Sequence, residues 1–373
     1  MSQAETPVSS APTSLRTLYT DLFPTLLAEQ RISIFASTFQ WEKLLILQHD
    51  PEEGVDTQFR QFFKPMALTV RKDRLVVSTQ GIIQEYRNVP SVAAQINVTR
   101  PCDAAYLPRT IHATGEISAH EMDWGGPDRD ELWFVNTRFS CLCTRDQDYS
   151  FIPKWRPKFI TDLTGDDRCH LNGFCMIDGQ SAYATALGET DTAGGWRVNK
   201  KSGGILIDVR SNEIVCRELS MPHSPRWYQG KLWVLQAGSG ELGIVDPDTG
   251  RFEKVAAVPG FARGLDFHGP YAFIGLSLVR DLAIYNGLPI TQMPAEKRAT
   301  GIWVVDIRSG KVVAFIKFVG DLREVFAVAV LPDYQHPDVI NSDVAILKDT
   351  FTFPPGLDFR YDPASARPLA AAS

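Results

Sequence analysis

A polar turn followed by a short apolar strand returns five times along this chain, and that recurrence restricts the fold more than any other feature. The instances are residues 72–78, 130–136, 179–185, 229–235 and 268–274. Measured between Leu75, Leu132, Ala182, Leu232 and Tyr271, the intervals are 57, 50, 50 and 39 residues. Such a period belongs to the blades of a β-propeller, about 40–50 residues each before insertions. A second marker follows in three units: two apolar residues, an Asp, and a turn ending in Asn or Gly. Asp208, Asp246 and Asp306 head these turns. An Asp there accepts from the turn backbone, and Asn or Gly tolerates positive φ, so these carboxylates read as structural hairpin residues between a blade's third and fourth strands.

Inner strands are expected to open near Pro65, His120, His170, His223, Arg263 and Glu324. The last lacks a full set of following strands, and the N-terminal runs 32–39, 43–48 and 58–63 supply them. A ring closed by both ends of the chain has no open sheet edge. The predicted fold is all-β, a six-bladed propeller; seven blades is the alternative, because 343–348 reads as one more strand. The expected organisation is a disordered segment 1–13, a helical segment 14–30, the propeller over 31–350, and a mostly disordered tail, 351–373. In 14–30 the apolar residues Leu15, Leu18, Leu22, Phe23 and Leu26 recur at helical spacing, and Pro24 is expected to kink or split that helix.

Composition narrows the function classes. The 38 basic and 44 acidic residues leave a formal charge of −6, which disfavours a nucleic-acid binder. No apolar run reaches the ~18–20 residues needed to span a bilayer, and the first residues do not resemble a secretory signal, so no membrane is expected and the cytoplasm is the expected location. Six cysteines are even in number, but a long chain in that compartment reads as reduced thiols. Cys141 and Cys143 lack zinc-knuckle spacing and would share one face of a strand. The string Asn97-Val98-Thr99 matches a glycosylation sequon without meaning in that compartment.

In a propeller the residues opening the inner strands converge on the central channel. Here they include His120, Glu121, His170, Asn172, His223, Arg226, Arg263 and Glu324. Three histidines at comparable positions in successive blades suit a divalent transition metal with an open position, which makes His120, His170 and His223 the candidate ligands. Glu324 and Glu121 are the candidate catalytic carboxylates. Asn172, Arg226, Arg263 and Arg280 would orient an anionic small-molecule or peptide substrate through fork-like pairing. A metal-free anion site and a purely structural polar lining are the competing readings of the same residues. Insertions at 188–197 and 277–300 should overhang the same mouth, with Trp196 and Tyr285 as pocket walls or packing residues. A metal-dependent hydrolase, lyase or oxidoreductase and a noncatalytic ligand- or protein-binding module both fit this pattern, and the oligomeric state is open.

The strings at 170–173 (His-Leu-Asn-Gly), 222–226 (Pro-His-Ser-Pro-Arg), 259–265, 275–277 and 324–326 resemble a bacterial family of conserved hypothetical proteins, a domain of unknown function. The likeness runs over about residues 30–335, with Pro-His-Ser-Pro-Arg its most specific part. It implies a mainly bacterial, cytoplasmic protein and brings no activity with it.

Overall fold

The computed structural model describes residues 15–96, 102–279 and 285–353. The expected disorder of 1–13 and most of the tail, the sequon and Arg280 all lie outside them. Six sheets are formed, and their first strands neighbour one another in a closed cycle, giving a six-bladed propeller. Numbered in chain order, blades 1 to 6 have the inner strands Leu68–Val70, Ala119–Gly125, Leu171–Ile177, Pro222–Tyr228, Phe261–His268 and Ala327–Pro332. Blade 6 is completed by Ile32–Thr38, Lys43–Asp50 and Gly54–Gln61, so both ends of the chain share one sheet. Alternate side chains from adjacent blades fill the spaces between sheets. Leu235, Leu265, Ile274 and Trp303 form one such layer, and Leu44, Leu75, Val77 and Tyr106 another.

The hairpin turns follow from the Asp residues read in the sequence. Asp208 Oδ1 accepts from the backbone N–H of Arg210 and Ser211 at 2.8 and 2.9 Å, and Asp246 and Asp306 repeat the contact. Asn212, Gly250 and Gly310 take the positive φ that closes each turn.

Three segments differ from expectation. Residues Arg16–Tyr19 form a strand pairing with Lys311–Val319 on the outer edge of blade 5, and the helix is only Leu22–Glu29. Pro24 lies in the first turn of that helix, where a missing N–H breaks no helical bond, so it helps start the helix and does not split it. Leu18 consequently points outward, while Phe23, Leu26 and Leu27 are buried against blades 5 and 6. Pro337–Val339 adds a parallel strand outside Ala104–Ala113 of blade 1. Residues 343–348 are no seventh-blade strand: Val344–Leu347 is a helical turn capped by the Asp343 carboxylate, in a separate compact unit beginning at Ser342.

All six cysteines are free thiols. The sulfurs of Cys141 and Cys143 stand 3.4 Å apart on one face of their strand, as the spacing predicts. No helix among the described residues is long and apolar enough to cross a membrane.

Candidate functional site in the central channel

The side chains that enter the channel do so because the inner strands are bulged. In blade 2, Ala119 pairs with Asn136 and Met122 with Phe134, so three steps on the inner strand match two on its partner. Blades 4 and 5 repeat this between His223 and Arg226 and between Ala262 and Leu265; in blade 3 two steps, Leu171 to Gly173, match one on the partner. One extra residue locally reverses the in–out alternation and re-aims side chains. Ser224 (φ 50°) and Gly264 (φ 76°) carry the positive φ of two of these bulges. The bulges create two tiers. At the mouth where the strands begin stand His120, His170, His223 and Arg263. Asp123, Arg226 and Asp266 lie further along, opposite the equivalent partners Trp133, Trp233 and Phe273.

In the first tier, the rings of His120 and His170 meet edge to face at 4.8 Å. His120 also packs on Phe326 at 5.3 Å, and His223 on Phe261 at 5.7 Å. His223 Nδ1 contacts the Met221 carbonyl at 2.9 Å, and His120 Nδ1 contacts the Ser118 carbonyl at 2.7 Å. A carbonyl only accepts, so both rings carry their proton on Nδ1. Thr137 agrees: its hydroxyl donates to the Leu171 carbonyl at 2.7 Å, leaving its oxygen to accept from His120 Nδ1 at 2.9 Å. Each Nε2 is thereby a lone-pair acceptor, and among the described residues none of the three Nε2 atoms has a hydrogen-bond partner.

His170 is held differently. Its Nδ1 faces both oxygens of Asp167 at 3.0 Å, and the indole N–H of Trp196 donates to the same carboxylate at 3.0 Å. Trp196 comes from the 188–197 insertion and packs on the His170 ring at 4.4 Å; Tyr285, from the second insertion, packs on Phe261 at 5.4 Å. Each insertion thus sends an aromatic ring onto residues of this mouth, Trp196 onto His170 and Tyr285 onto Phe261, which itself packs on His223. Asp167 escaped the sequence reading, and its only signal was its place three residues before His170.

Arg263 stacks on Phe326, its guanidinium carbon 3.3 Å from the ring centroid, with Glu324 at 3.6 Å. Among the described residues that guanidinium forms no hydrogen bond, and Glu324 is its ion-pair partner. Glu324 Oε2 is likewise buried without a hydrogen-bond partner. Burial pulls the Arg263 guanidinium below its ordinary value, with Glu324 opposing. Burial first, and then the Arg263 charge, hold His120 and His223 well below the ordinary imidazole value.

That depression sets a pH dependence. The folded rings stay neutral where the unfolded ones begin to protonate, near pH 6.5, so the unfolded state binds more protons below that pH. Stability contributed by His120 and His223 is present above about pH 6.5 and declines as pH falls, by up to about 1.4 kcal/mol per pH unit for each ring. The buried carboxyls of Glu121, Asp123 and Asp266 are raised, so their titration acts in the opposite sense. The measurable quantity is therefore a difference. Urea midpoints between pH 7.5 and 5 should fall less steeply in His223→Gln than in the parent, and equal slopes would contradict this.

Other candidates sit elsewhere. Asn172 is buried, donating to the Pro222 carbonyl at 3.0 Å and accepting from Thr185 at 2.7 Å, so its amide fastens blade 3 to blade 4 and does not face the channel. Glu121 and Arg226 are spent on each other at 2.8 Å, below the histidines. Among the described residues no three His, Cys, Asp or Glu side chains stand close enough together to hold a metal ion. The three-imidazole ligand set therefore gains no support from the geometry: each Nδ1 contact holds its ring in place on its own blade.

A model of a domain of unknown function (DUF4915) matches residues 21–340. The chain belongs to that family. No curated protein matches its sequence. Among solved structures, this DUF4915 chain is similar to a chain of a nidogen/laminin complex, at 9% identity and a TM-score of 0.47, over 81% of this chain and 99% of that one. It is also similar to a protein of unknown function from Bacteroides caccae, at 11% identity and a TM-score of 0.48, over 80% and 98% of the two chains.

Proposed function

We propose that the strand-start mouth of the channel binds a small organic anion bearing hydroxyl groups and moves a proton on it. The observation that carries this is Arg263, a guanidinium at this mouth stacked on Phe326, with Glu324 beside it at 3.6 Å and no hydrogen bond to an acceptor among the described residues. A buried donor group of that kind calls for an anionic partner, and the fork geometry suits a carboxylate or phosphate. The Nε2 lone pairs of His120 and His223 accept, so the ligand must donate, which favours hydroxyl groups over a plain alkyl acid. His170 is the proton-transferring group: Asp167 fixes its tautomer and neutralises charge as the ring takes up a proton, leaving Nε2 as the base. A cavity of about 330 Å³ opens beside His170, where Arg138 and Arg197 face the carboxylates Glu116, Asp166 and Asp167.

The test is thermal shift and calorimetry with glycerate, tartrate and gluconate against propionate, succinate and hexanoate. The expected result is saturable binding of at least one hydroxy acid, weakened tenfold or more by Arg263→Gln. Carbon-bound hydrogen exchange of the bound acid in D2O, followed by NMR, should depend on His170 and Asp167. Binding without exchange would leave a noncatalytic module; no binding, or binding indifferent to Arg263, would overturn the proposal. Elemental analysis is the companion measurement. A stoichiometric transition metal lost in His120→Ala/His170→Ala would replace this metal-free reading with the metal-dependent one.

A further inference from the structure

The channel's other mouth carries a separate cavity of about 320 Å³, whose walls come from the inner strands of all six blades. Its polar lining is the second tier together with Thr69, Arg71, Arg129 and Asp178. Asp123 on blade 2 and Asp266 on blade 5 occupy equivalent register positions on opposite sides of the ring. Thr69 holds the matching position on blade 1, opposite Val76, so Arg71 lies on the same strand face one pleat repeat nearer the opening. One repeat is about 6.6 Å along a strand.

The two aspartates feel Arg226 only through space and, among the described residues, have no close counter-ion. Arg226, the obvious counter-ion for both aspartates, is committed to Glu121. Asp266 accepts from the backbone N–H groups of Phe267 and Val330 at 2.8 and 2.7 Å, and Asp123 from that of Trp124 at 2.7 Å. Among the described residues neither aspartate forms an ion pair. Burial pushes both carboxyls above the usual range, a cost that a bound cation would relieve. Nearer the opening, Arg71 rests over the Trp124 ring at 5.6 Å and donates one N–H to the Arg129 carbonyl at 2.6 Å, leaving most of its donors unused.

We infer that this cavity binds a small zwitterion, an amino acid whose ammonium lies between Asp123 and Asp266 and whose acid group meets Arg71. The alternating arrangement of carboxylates inside and guanidinium outside rejects singly charged analogues: an amine leaves Arg71 unmet, and an acid meets the aspartates head-on. The Glu121–Arg226 pair separates this site from the histidine tier, so the inference does not rest on the function proposed above.

Calorimetry on the full chain, with glycine, β-alanine, 4-aminobutyrate, 6-aminohexanoate and the common L-amino acids at up to 10 mM, tests it. Butylamine and butyrate serve as the single-charge controls. At least one zwitterion should bind ten times or more tighter than either control. Asp123→Asn and Arg71→Gln should each weaken it at least tenfold, and Arg263→Gln should leave it unchanged. Butylamine binding as well as the best amino acid would overturn the zwitterion in favour of a plain cation. No saturable binding by any member of the panel would overturn the site. Asp266→Asn is the second variant should Asp123→Asn fail to fold, because it lies on a different blade.

Discussion

Replacing Glu121 by alanine should cost the fold about 3 kcal/mol, a large share of the 5–15 kcal/mol that holds a typical protein together. The reason is what stays behind. Arg226 lies in the channel wall with Nη2 on Glu121 at 2.8 Å and Nη1 on the Pro225 carbonyl at 2.9 Å. Burial alone would lower its affinity for its proton, and the Glu121 carboxylate, with Asp266 and Asp123 acting from further away, more than reverses that. Without Glu121 the guanidinium keeps its charge and loses its close partner. Removing one member of a buried pair usually costs about 3–5 kcal/mol. The lower end applies here because Asp123 and Asp266 still act on Arg226 through space.

A double replacement separates the pair's net worth from the penalty of orphaning it. Glu121→Met/Arg226→Met removes both charges and keeps comparable volume, so it should recover most of the loss and fall within about 1–2 kcal/mol of the parent. Urea unfolding of the parent, Glu121→Met, Arg226→Met and the double variant gives the cycle directly. Should Glu121→Ala prove nearly neutral, the pair is solvated and the two channel mouths communicate. That result would weaken the separation on which the two-site picture depends.

What was legible in the sequence, and what was not, follows from the range of each signal. Turn chemistry is local: Asp208, Asp246 and Asp306 announce their hairpins within five residues, and the blade count followed from strings of that length. The closure of blade 6 was legible too, because an incomplete last unit must be completed somewhere. The strand at Arg16–Tyr19 was not, since its partner lies some 300 residues away and its apolar spacing also fits a helix. The first-tier histidines could be found because each opens an inner strand. Bulges could not, because an extra residue shows only once the partner strand is known. Asn172 and Arg226 lie in inner strands as His120 and His223 do, and only the folded register and contacts reveal that one fastens a neighbouring blade and the other faces the far cavity. Asp167 lies before its strand in an irregular segment, where no periodicity marks it.

Gly264→Ala should be a strongly damaging single-methyl change in the channel wall, lowering stability by about 2–5 kcal/mol. Two costs combine. The residue sits at φ 76°, which charges an L side chain about 1–2 kcal/mol. A Cβ there would also stand 2.8 Å from the Val328 nitrogen, 2.9 Å from the Ala327 Cα and 3.0 Å from the Ala327 carbonyl carbon. All three are backbone atoms of the blade 6 inner strand, so no rotamer change relieves the contact, and overpacking of this kind adds about 1–3 kcal/mol. Gly230→Ala is the control: it has φ 72° in a hairpin turn and nothing within 4 Å of the added methyl, so it should cost only about 1–2 kcal/mol. The difference between the two variants measures how tightly blades 5 and 6 close at the bulge. Because that bulge aims Arg263 into the channel, Gly264→Ala should also weaken hydroxy-acid binding under conditions where the variant is still folded, whereas Gly230→Ala should not. Equal destabilisation by the two variants would mean that blade 6 can withdraw, and that the channel wall is looser than these distances require.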